Sequence, residues 1–334
     1  MTDRALRPTM QDVAARAGVS QMTVSRVLRG SGYASEAIRA RVLAVAAELG
    51  YVHNRLAGGA PDYANPLVGV ILPTLQNRVF TEVMAGISET LGREGIRPVF
   101  GVTEYLEDEE EMIARDLLSW RPRGLILTGL EHGAAVRALI ERTGVRTVEI
   151  MDTDGTPMGA AVGLSHRAAG ADMARHLIAR GHRRFGYAAT LGGADLRAAK
   201  RFEAFAGVVR AAGGQIVAQR IGEGPSSMPA GRAMTADMLA AGEALDAIYY
   251  SNDDLAAGGL LHCLAEGVAV PDGIALAGFN GLGFLDAFPL RLTTTRTPRH
   301  RIGAEAARLL AAPPSDGEAT VRRLEVELVA GDTA

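Results

Sequence analysis

Four side chains near the N-terminus combine the residue types and the spacing that can read the edges of DNA bases. Gln21 and Met22 are followed one turn later by Ser25 and Arg26, so all four would lie on one side of a helix. Glutamine can pair bidentately with adenine and arginine with guanine, whereas methionine offers only an apolar contact, for instance to the methyl group of thymine. Because the major groove admits an α-helix, this segment is predicted to be a base-reading helix.

The surrounding residues predict two short helices joined by a tight turn, followed by a third helix. Gly18 can adopt the left-handed backbone that ends the first helix, and Ser20 is a suitable N-cap for the second. Ser35 would cap the third helix, Glu36–Leu49, which Gly50 ends. The predicted buried positions are Val13, Ala14 and Ala17 in the first helix and Val24, Val27 and Leu28 in the second. A helical hairpin with no role on DNA is the alternative interpretation.

Charge is distributed unevenly along the 334 residues. The first 60 residues contain eight arginines and four acidic residues, whereas the whole chain carries a formal net charge of -3. A small basic module followed by a larger acidic region fits a DNA-binding headpiece attached to a domain that does not contact DNA. A chance excess of arginine is the alternative.

The composition argues against several other classes of protein. Cys263 is the only cysteine, so no disulfide can form within the chain. No signal-like or membrane-spanning apolar segment occurs, and we expect a cytoplasmic protein with no membrane partner. The seven histidines are scattered, and no phosphate-binding loop, dinucleotide fingerprint or zinc-protease motif is present. We therefore predict no catalytic residues, no metal and no cofactor, and an enzyme is a distant alternative.

From Pro66 onward, short β-rich apolar runs alternate with amphipathic helices, which predicts parallel, doubly wound α/β sheets. This region is longer than one such sheet usually needs, so we expect two lobes and a ligand cleft at the carboxyl ends of the strands. Strands are predicted at 67–72, 97–102, 124–128, 147–150, 184–188, 247–250 and 275–278. Helices are predicted at 80–94, 107–119, 133–143, 168–180, 200–212, 231–241, 253–266 and 300–311.

Together these residues resemble the lactose-repressor family of bacterial transcription regulators. The most specific segment is QDVAARAGVSQMTVSRVL at 11–28, which is followed by ELGY at 48–51 and by Asn54 and Arg55. Further matches are RGH at 180–182, SNDD at 251–254 and AGF at 277–279. The resemblance implies an all-α helix-turn-helix headpiece and a two-lobed core like that of periplasmic sugar-binding proteins. It also implies a homodimer on double-stranded operator DNA, controlled by a small-molecule effector.

The family pattern implies the domain boundaries. The headpiece would cover 1–52, the linker 53–65 and the effector-binding and dimerisation core 66–334. Within the core, the first lobe would comprise about 66–163 and 294–318, and the second lobe about 164–293 and 319–332. Gly58, Gly59 and Ala60 depart from the family's hinge pattern, so we expect weak hinge-helix insertion into DNA. Residues 325–334 are expected to form a last strand and tail with no heptad helix after them, which favours a dimer over a tetramer.

The resemblance also assigns the DNA contacts. Gln21, Met22 and Arg26 would contact bases, while the other positions would contact phosphates or flank those contacts. The predicted DNA-binding residues are Gln21, Met22, Thr23, Ser25, Arg26, Ser35, Asn54 and Arg55.

The effector site is predicted in the same way, from local matches to the family: RFEAF at 201–205, followed by Ala212 and Gly213, matches the family helix that holds a sugar-binding basic residue. Within the family, VEIMD at 148–152, ARGH at 179–182 and TPR at 297–299 resemble repressors of gluconate utilisation. The predicted effector-binding residues are Asn77, Arg78, Asp152, Arg197, Arg201, Asn252, Asn280, Thr297 and Arg299. Several arginines and few acids in one cleft would favour a carboxylate or phosphate ligand, such as gluconate or its phosphate. Another sugar or anionic metabolite, an activator, and a sugar-binding protein without DNA function are the alternatives.

Overall fold

The computed structural model describes residues 8–29, 34–49, 51, 65–313 and 320–334. The chain divides into two compact units, residues 1–65 and 66–334. The predicted hinge and the candidate contacts Asn54 and Arg55 lie outside the described residues, as do the predicted helix stop Gly50 and the loop at 30–33.

The first unit contains three helices: α1 (Met10–Ala17), α2 (Gln21–Arg29) and α3 (Glu36–Glu48). Thr9 and Asp12 form a capping box at the start of α1, and Gly18 ends that helix with φ of 64°. The hydroxyl of Ser35 accepts from the backbone N–H of Ile38 and caps α3. These caps and helices confirm the predicted helix-turn-helix. Its core consists of Val13, Ala14, Ala17, Val24, Val27, Val42 and Ala46.

The second unit consists of two lobes, each a parallel sheet with helices on both faces. Its strands are β1 (Leu67–Leu72), β2 (Arg97–Val102), β3 (Leu125–Thr128), β4 (Thr147–Ile150), β5 (Ala160–Gly163), β6 (Arg184–Ala189), β7 (Gln215–Ile221), β8 (Ala247–Tyr250), β9 (Ala275–Ala277), β10 (Thr294–Arg296), β11 (Val321–Arg323) and β12 (Glu327–Val329). Its helices are α4 (Arg78–Arg93), α5 (Glu107–Ser119), α6 (Ala134–Thr143), α7 (His166–Ala179), α8 (Leu196–Ala211), α9 (Met228–Ala240), α10 (Asp253–Glu266) and α11 (Arg299–Ala311).

The sheets confirm the predicted doubly wound architecture. The first lobe has the strand order β11-β5-β4-β3-β1-β2 and the second β7-β6-β8-β9, with all neighbours parallel. A separate antiparallel pair, β10 and β12, follows the crossover between the lobes. Among the described helices, none combines the length and the apolar composition that crossing a bilayer requires.

Close packing of helices α4 and α11 closes one face of the first lobe. A Cβ atom on Gly86 would lie 2.1 Å from the carbonyl oxygen of His300, and one on Gly303 would lie 2.1 Å from that of Val83. Both glycines are therefore needed for the backbones to approach this closely. The helices cover a core that includes Phe80, Ile87, Ile126 and Ile302.

Two differences from the sequence-based expectations concern strands with weak apolar patterns. Strands β5 and β7 were not predicted, because the small residues of 160–163 and the polar residues of 215–221 give no clear strand pattern. The assignment of 319–332 to the second lobe is wrong for 321–323, since β11 pairs with β5 in the first lobe. All three residues of this edge strand are exposed, so its sequence shows no alternation of buried and exposed residues that would indicate a strand.

Candidate functional site

The exposed side of α2 carries the residues that were predicted to read bases. Gln21 and Arg26 are exposed, and the Met22 side chain is exposed to 69% of its surface. Val24 and Val27 on the opposite side are buried in the headpiece core. The helix therefore presents an amide, a thioether and a guanidinium on one surface, while its other side fixes its orientation.

Of the predicted phosphate contacts within the described residues, Thr23 lies in the first turn of α2, Ser25 in the middle of that helix and Ser35 at the N-cap of α3. The Ser20 hydroxyl accepts from the backbone N–H of Thr23 at 3.2 Å and lies 2.9 Å from the Thr23 hydroxyl. These two contacts hold the start of α2, which is the end of a recognition helix that approaches base edges. Ser25 is half-buried and Ser35 is exposed, and a separate ion pair between Arg16 and Glu48 connects α1 to α3.

Two adjacent cavities lie between the lobes of the core and share the side chain of Tyr105. Cavity A has a volume of about 180 Å³ and cavity B of about 320 Å³. The polar side chains of cavity A are Thr74, Gln76, Asn77, Glu104, Tyr105, Thr190, Asp195, Glu223, Ser226, Ser251, Asn252 and Asp254. Those of cavity B are Thr103, Tyr105, Glu107, Glu110, Thr128, Glu131, His132 and Arg197.

Cavity A is built where strands of both lobes end. Residues 74–77 follow β1, 104–105 follow β2, 190–195 follow β6, 223–226 follow β7 and 251–254 follow β8. Ligands of parallel α/β sheets bind at these carboxyl ends. The same rule could have identified Glu104, Tyr105, Thr190 and Glu223, which sequence reasoning missed.

Two predicted residues, Asn77 and Asn252, line cavity A and also cap helices. The side-chain oxygen of Asn77 accepts from the backbone N–H of Val79 at 3.0 Å, at the start of α4. That of Asn252 accepts from the N–H of Leu255 at 3.1 Å, and its amide nitrogen donates to the Ser226 hydroxyl at 2.6 Å. Capping fixes both side chains, so these polar walls of the cavity are pre-organised.

A strained turn places Glu104 and Tyr105 in cavity A. Both residues have positive φ, 46° and 63°, a backbone conformation that is unfavourable for residues other than glycine. Burial and the nearby Asp195 raise the pKa of Tyr105 to about 12, so its hydroxyl stays protonated at neutral pH. The turn thus delivers a carboxylate and a neutral phenol to the cavity.

Arg197 lies at the start of α8, close to Tyr105, where the two cavities meet. Its Nε atom is 3.3 Å from Oδ1 of Asp195, and its guanidinium lies 5.8 Å from the centre of the Phe80 ring. Burial would raise the pKa of Asp195, but the positive charges of Arg197 and Arg201 hold it below its ordinary value. Asp195 and Arg197 are therefore an ionised pair in the cavity wall.

Arg201 lies behind the wall of cavity A instead of lining it. The side chain donates to Nδ1 of His166 at 2.8 Å and to the carbonyl oxygen of Ser251 at 2.7 Å, and it stacks on Phe279 at 3.8 Å. Burial and the charge of Arg201 hold the pKa of His166 well below its ordinary value. The neutral ring accepts at Nδ1 and donates from Nε2 to the carbonyl oxygen of Met151 at 2.8 Å.

Asp152 is fully buried and is paired with Lys200 of the other lobe. The Lys200 ammonium lies 2.6 Å from Oδ2 of Asp152, 2.5 Å from Oε1 of Glu131 and 3.2 Å from the carbonyl oxygen of Asp154. Lys200 belongs to α8, whereas its three partners follow β3 and β4 of the first lobe. This bridge between the lobes was not predicted, although Lys200 is the only lysine of the chain.

Besides Asp152 and Arg201, four further predicted effector residues line neither cavity: Arg78, Asn280, Thr297 and Arg299. The guanidinium of Arg78 stacks on Phe284 at 5.1 Å. Arg299 donates to the carbonyl oxygen of Asn280 and to Oε1 of Glu82, the latter at 2.8 Å. Thr297 donates to the same carbonyl oxygen at 3.4 Å. The contacts of Thr297 and Arg299 hold the segment in which the chain passes from the second lobe back to the first.

The expectation of several arginines and few acids is wrong for cavities A and B. Among the residues that the structure describes, Arg197 is the only arginine or lysine that lines either cavity, because the other predicted arginines donate to backbone carbonyls and carboxylates or stack on aromatic rings. The carboxylates are Glu104, Asp195, Glu223 and Asp254 in cavity A and Glu107, Glu110 and Glu131 in cavity B. Within the described ranges, no group of three or more metal-ligating side chains is placed to hold a metal ion.

A helix-turn-helix unit joined in one chain to a two-lobed α/β core with polar interlobe cavities defines a DNA-binding regulator with a periplasmic-binding-protein-like core. Residues 9–54 match the family described as bacterial regulatory proteins, lacI family, and residues 174–334 match a periplasmic binding protein-like domain. The chain belongs to the LacI family of transcriptional regulators.

Similar proteins agree with this assignment. The chain is 39% identical over 311 residues to the HTH-type transcriptional regulator GntR of Pseudomonas aeruginosa, covering 92% of this chain and 89% of that protein. It is 35% identical to GntR of Escherichia coli, covering 91% and 92%. A LacI-family regulator from Silicibacter pomeroyi has a similar crystal structure, with a TM-score of 0.90, 46% identity and 98% and 99% coverage.

The lac repressor dimer bound to operator and an anti-inducer is also similar, with a TM-score of 0.77, 25% identity and 98% and 99% coverage. These relatives are transcriptional regulators and not enzymes, which confirms the non-enzymatic interpretation of the sequence.

Proposed function

We propose that this regulator is a homodimeric operator-binding repressor whose DNA affinity is controlled by a sugar acid such as gluconate. Residues 1–52 bind DNA in this proposal, 53–65 form the linker and 66–334 bind the effector. One observation carries the effector assignment: Arg197 lies at the junction of the two cavities. The other lining residues supply mainly hydroxyl, amide and carboxylate groups.

The DNA part of the proposal rests on the exposed side of α2. Gln21 and Arg26 can make bidentate contacts with adenine and guanine, and the exposed Met22 can contact a thymine methyl group. Thr23 in the first turn of α2, Ser25 in its middle and Ser35 at the N-cap of α3 would make phosphate contacts, which set the register of the protein on DNA. The similarity to a repressor dimer whose structure was determined on its operator supports the same geometry.

The effector part rests on complementary chemistry. A sugar acid has one carboxylate and several hydroxyl groups. Arg197 can donate to the carboxylate, with the Tyr105 hydroxyl beside it. The hydroxyls can donate to Glu104, Glu223 and Asp254 and bond to the fixed amide groups of cavity A.

Binding to DNA is tested with a footprint of the full-length protein on the promoter region of its own gene. We expect a protected near-palindromic site and a steep loss of affinity with salt, because a dimer neutralises several phosphates. A protein that shows no preference among duplexes, with and without candidate metabolites, would contradict the DNA assignment.

Effector binding is tested with a thermal-shift panel of neutral sugars, sugar acids and sugar phosphates, followed by operator binding in the presence of each compound that binds. We expect gluconate to raise the melting temperature and to weaken operator binding. Stronger operator binding with gluconate would make it a co-repressor. Stabilisation by neutral sugars alone would contradict the assignment of a sugar acid.

A further inference from the structure

Two carboxylates that no sequence motif indicated, Glu104 and Glu223, line cavity A from opposite lobes. Glu104 follows β2 of the first lobe, and Glu223 follows β7 of the second. Neither is paired with a lysine or arginine among the described ion pairs. A ligand in cavity A would therefore be close to both negative charges.

Both glutamates are exposed, and the local backbone sets the position from which each carboxylate reaches cavity A. Glu104 lies on the turn with two successive positive φ angles, a strained conformation that occurs preferentially at functional sites. Glu223 lies on a loop whose carbonyl groups at 222 and 224 accept from the N–H groups of Gly192 and Leu191, at 3.0 and 3.1 Å. A Cβ atom on Gly192 would lie 2.6 Å from Oε2 of Glu223, so the glycine leaves room for this carboxylate.

The positive charge in the walls of the two cavities is already matched. Arg197 faces Asp195 at 3.3 Å. Arg201, behind the wall, donates to His166 and to a backbone carbonyl, and Lys200 is held by Asp152 and Glu131. The guanidinium of Arg197 can bind a second carboxylate in addition to Asp195. A phosphate carries a charge of about -1.5 to -2 at neutral pH, and within the described part of the chain no further cation lines either cavity to receive it.

We propose that Glu104 and Glu223 make the site selective for hydroxyl-rich ligands with a single carboxylate and exclude their phosphorylated forms. This inference rests on the proposed function and specifies its ligand class. The carboxylates accept hydrogen bonds from hydroxyl groups, and the same charges repel a phosphate at the other end of the ligand.

The experiment compares three probes that share a six-carbon polyol chain: sorbitol, gluconate and 6-phosphogluconate. They carry no ionised group, one carboxylate, and a carboxylate plus a phosphate. Calorimetry on the full-length protein should show gluconate binding at least about tenfold more tightly than either of the other two. Raising the ionic strength from about 0.01 M to about 1 M should narrow the preference over 6-phosphogluconate, because screening shortens the range of the repulsion.

The variants Glu104→Gln and Glu223→Gln, singly and together, remove the charge and keep an oxygen that accepts from hydroxyl groups. We expect the double variant to bring the affinities for gluconate and 6-phosphogluconate to within about threefold, with each single variant in between. The matched control is Glu266→Gln at the exposed end of α10, away from both cavities, which should leave all three affinities unchanged. The unliganded melting temperature of each variant checks its folding.

Each outcome decides a different point. Equal binding of gluconate and 6-phosphogluconate by the wild-type protein overturns the selectivity and leaves the proposed function in place. Unchanged selectivity in folded variants overturns the role of the two glutamates. Sorbitol binding as tightly as gluconate, or no binding by any of the three, overturns the sugar-acid effector itself.

Discussion

Replacing Lys200 by methionine should destabilise the core, because it removes the ammonium group that bridges the lobes. Its partner Asp152 has no exposed surface, and its carboxylate otherwise accepts only from the backbone N–H of Asp154, at 2.8 Å. Burial by itself would lower the pKa of Lys200, but the carboxylates of Asp152 and Glu131 raise that pKa above its ordinary value of 10.5. The stabilisation is therefore present at neutral pH and is lost only as the pH rises through this raised value.

The size of the effect follows from burial. Removing one partner of a buried ion pair costs about 3–5 kcal/mol, because it leaves an uncompensated charge. Glu131 is 40% exposed, so its contact with Lys200 contributes at most about 1 kcal/mol. We expect Lys200→Met to lower the free energy of unfolding by about 3 kcal/mol. At roughly 2–4 °C per kcal/mol, the melting temperature of the core falls by about 6–12 °C.

Scanning calorimetry and the fluorescence of Trp120, the only tryptophan, measure this transition. The matched control is Arg167→Met. It breaks an ion pair with Glu203 that is also 2.6 Å long but is about half exposed, so we expect a loss of 0–1 kcal/mol. The double variant Lys200→Met/Asp152→Asn removes the orphaned charge and should recover part of the loss. A Lys200→Met protein that melts within about 1 °C of the control would refute this reasoning.

Three further predictions concern other parts of the chain. Arg26→Ala should weaken operator binding by about 1–3 kcal/mol and relax the preference at one base pair, which fluorescence anisotropy on operator variants would measure. Arg41→Ala on α3 is the control and should not change the sequence preference. An equal loss of affinity on every operator variant after Arg26→Ala would contradict base reading. Gly86→Ala should cost about 1–3 kcal/mol or more in urea unfolding, because its Cβ would collide with the backbone of α11. Gly92→Ala on the same helix has open space and should stabilise the protein by about 0.5–1 kcal/mol; equal effects of the two changes would show that packing is not the cause. Burial raises the pKa of Asp253 from 3.8 to about 6, so its neutral form stabilises the fold at low pH and that stabilisation is lost as the pH rises through 6. The free energy of unfolding relative to Asp253→Asn should fall by about 2 kcal/mol between about pH 4 and pH 7, and a difference that does not vary with pH would contradict the shift.

The sequence by itself determined most of the secondary structure, the class of fold and the family. Gly18 and Ser35 were recognisable as helix-ending and helix-capping residues because capping depends on atoms only two to four residues away. The strand and helix periodicities are equally local, and the bounds of α5 and α10 match their predicted ranges. Strands β5, β7 and β11 were missed or misplaced because small, polar or exposed residues leave no such periodicity.

Most of the side chains that form the cavities could be assigned only from the tertiary structure. Local matches to the family placed Asn77, Arg197 and Asn252 in a ligand cleft, and these three line the cavity walls. The sequence could not show that Arg299 holds a carbonyl oxygen 19 residues away and a glutamate 217 residues away, or that Lys200 bridges the lobes. Long, flexible cationic side chains take whichever oxygen the fold brings near them, and that proximity leaves no trace in the order of residues along the chain.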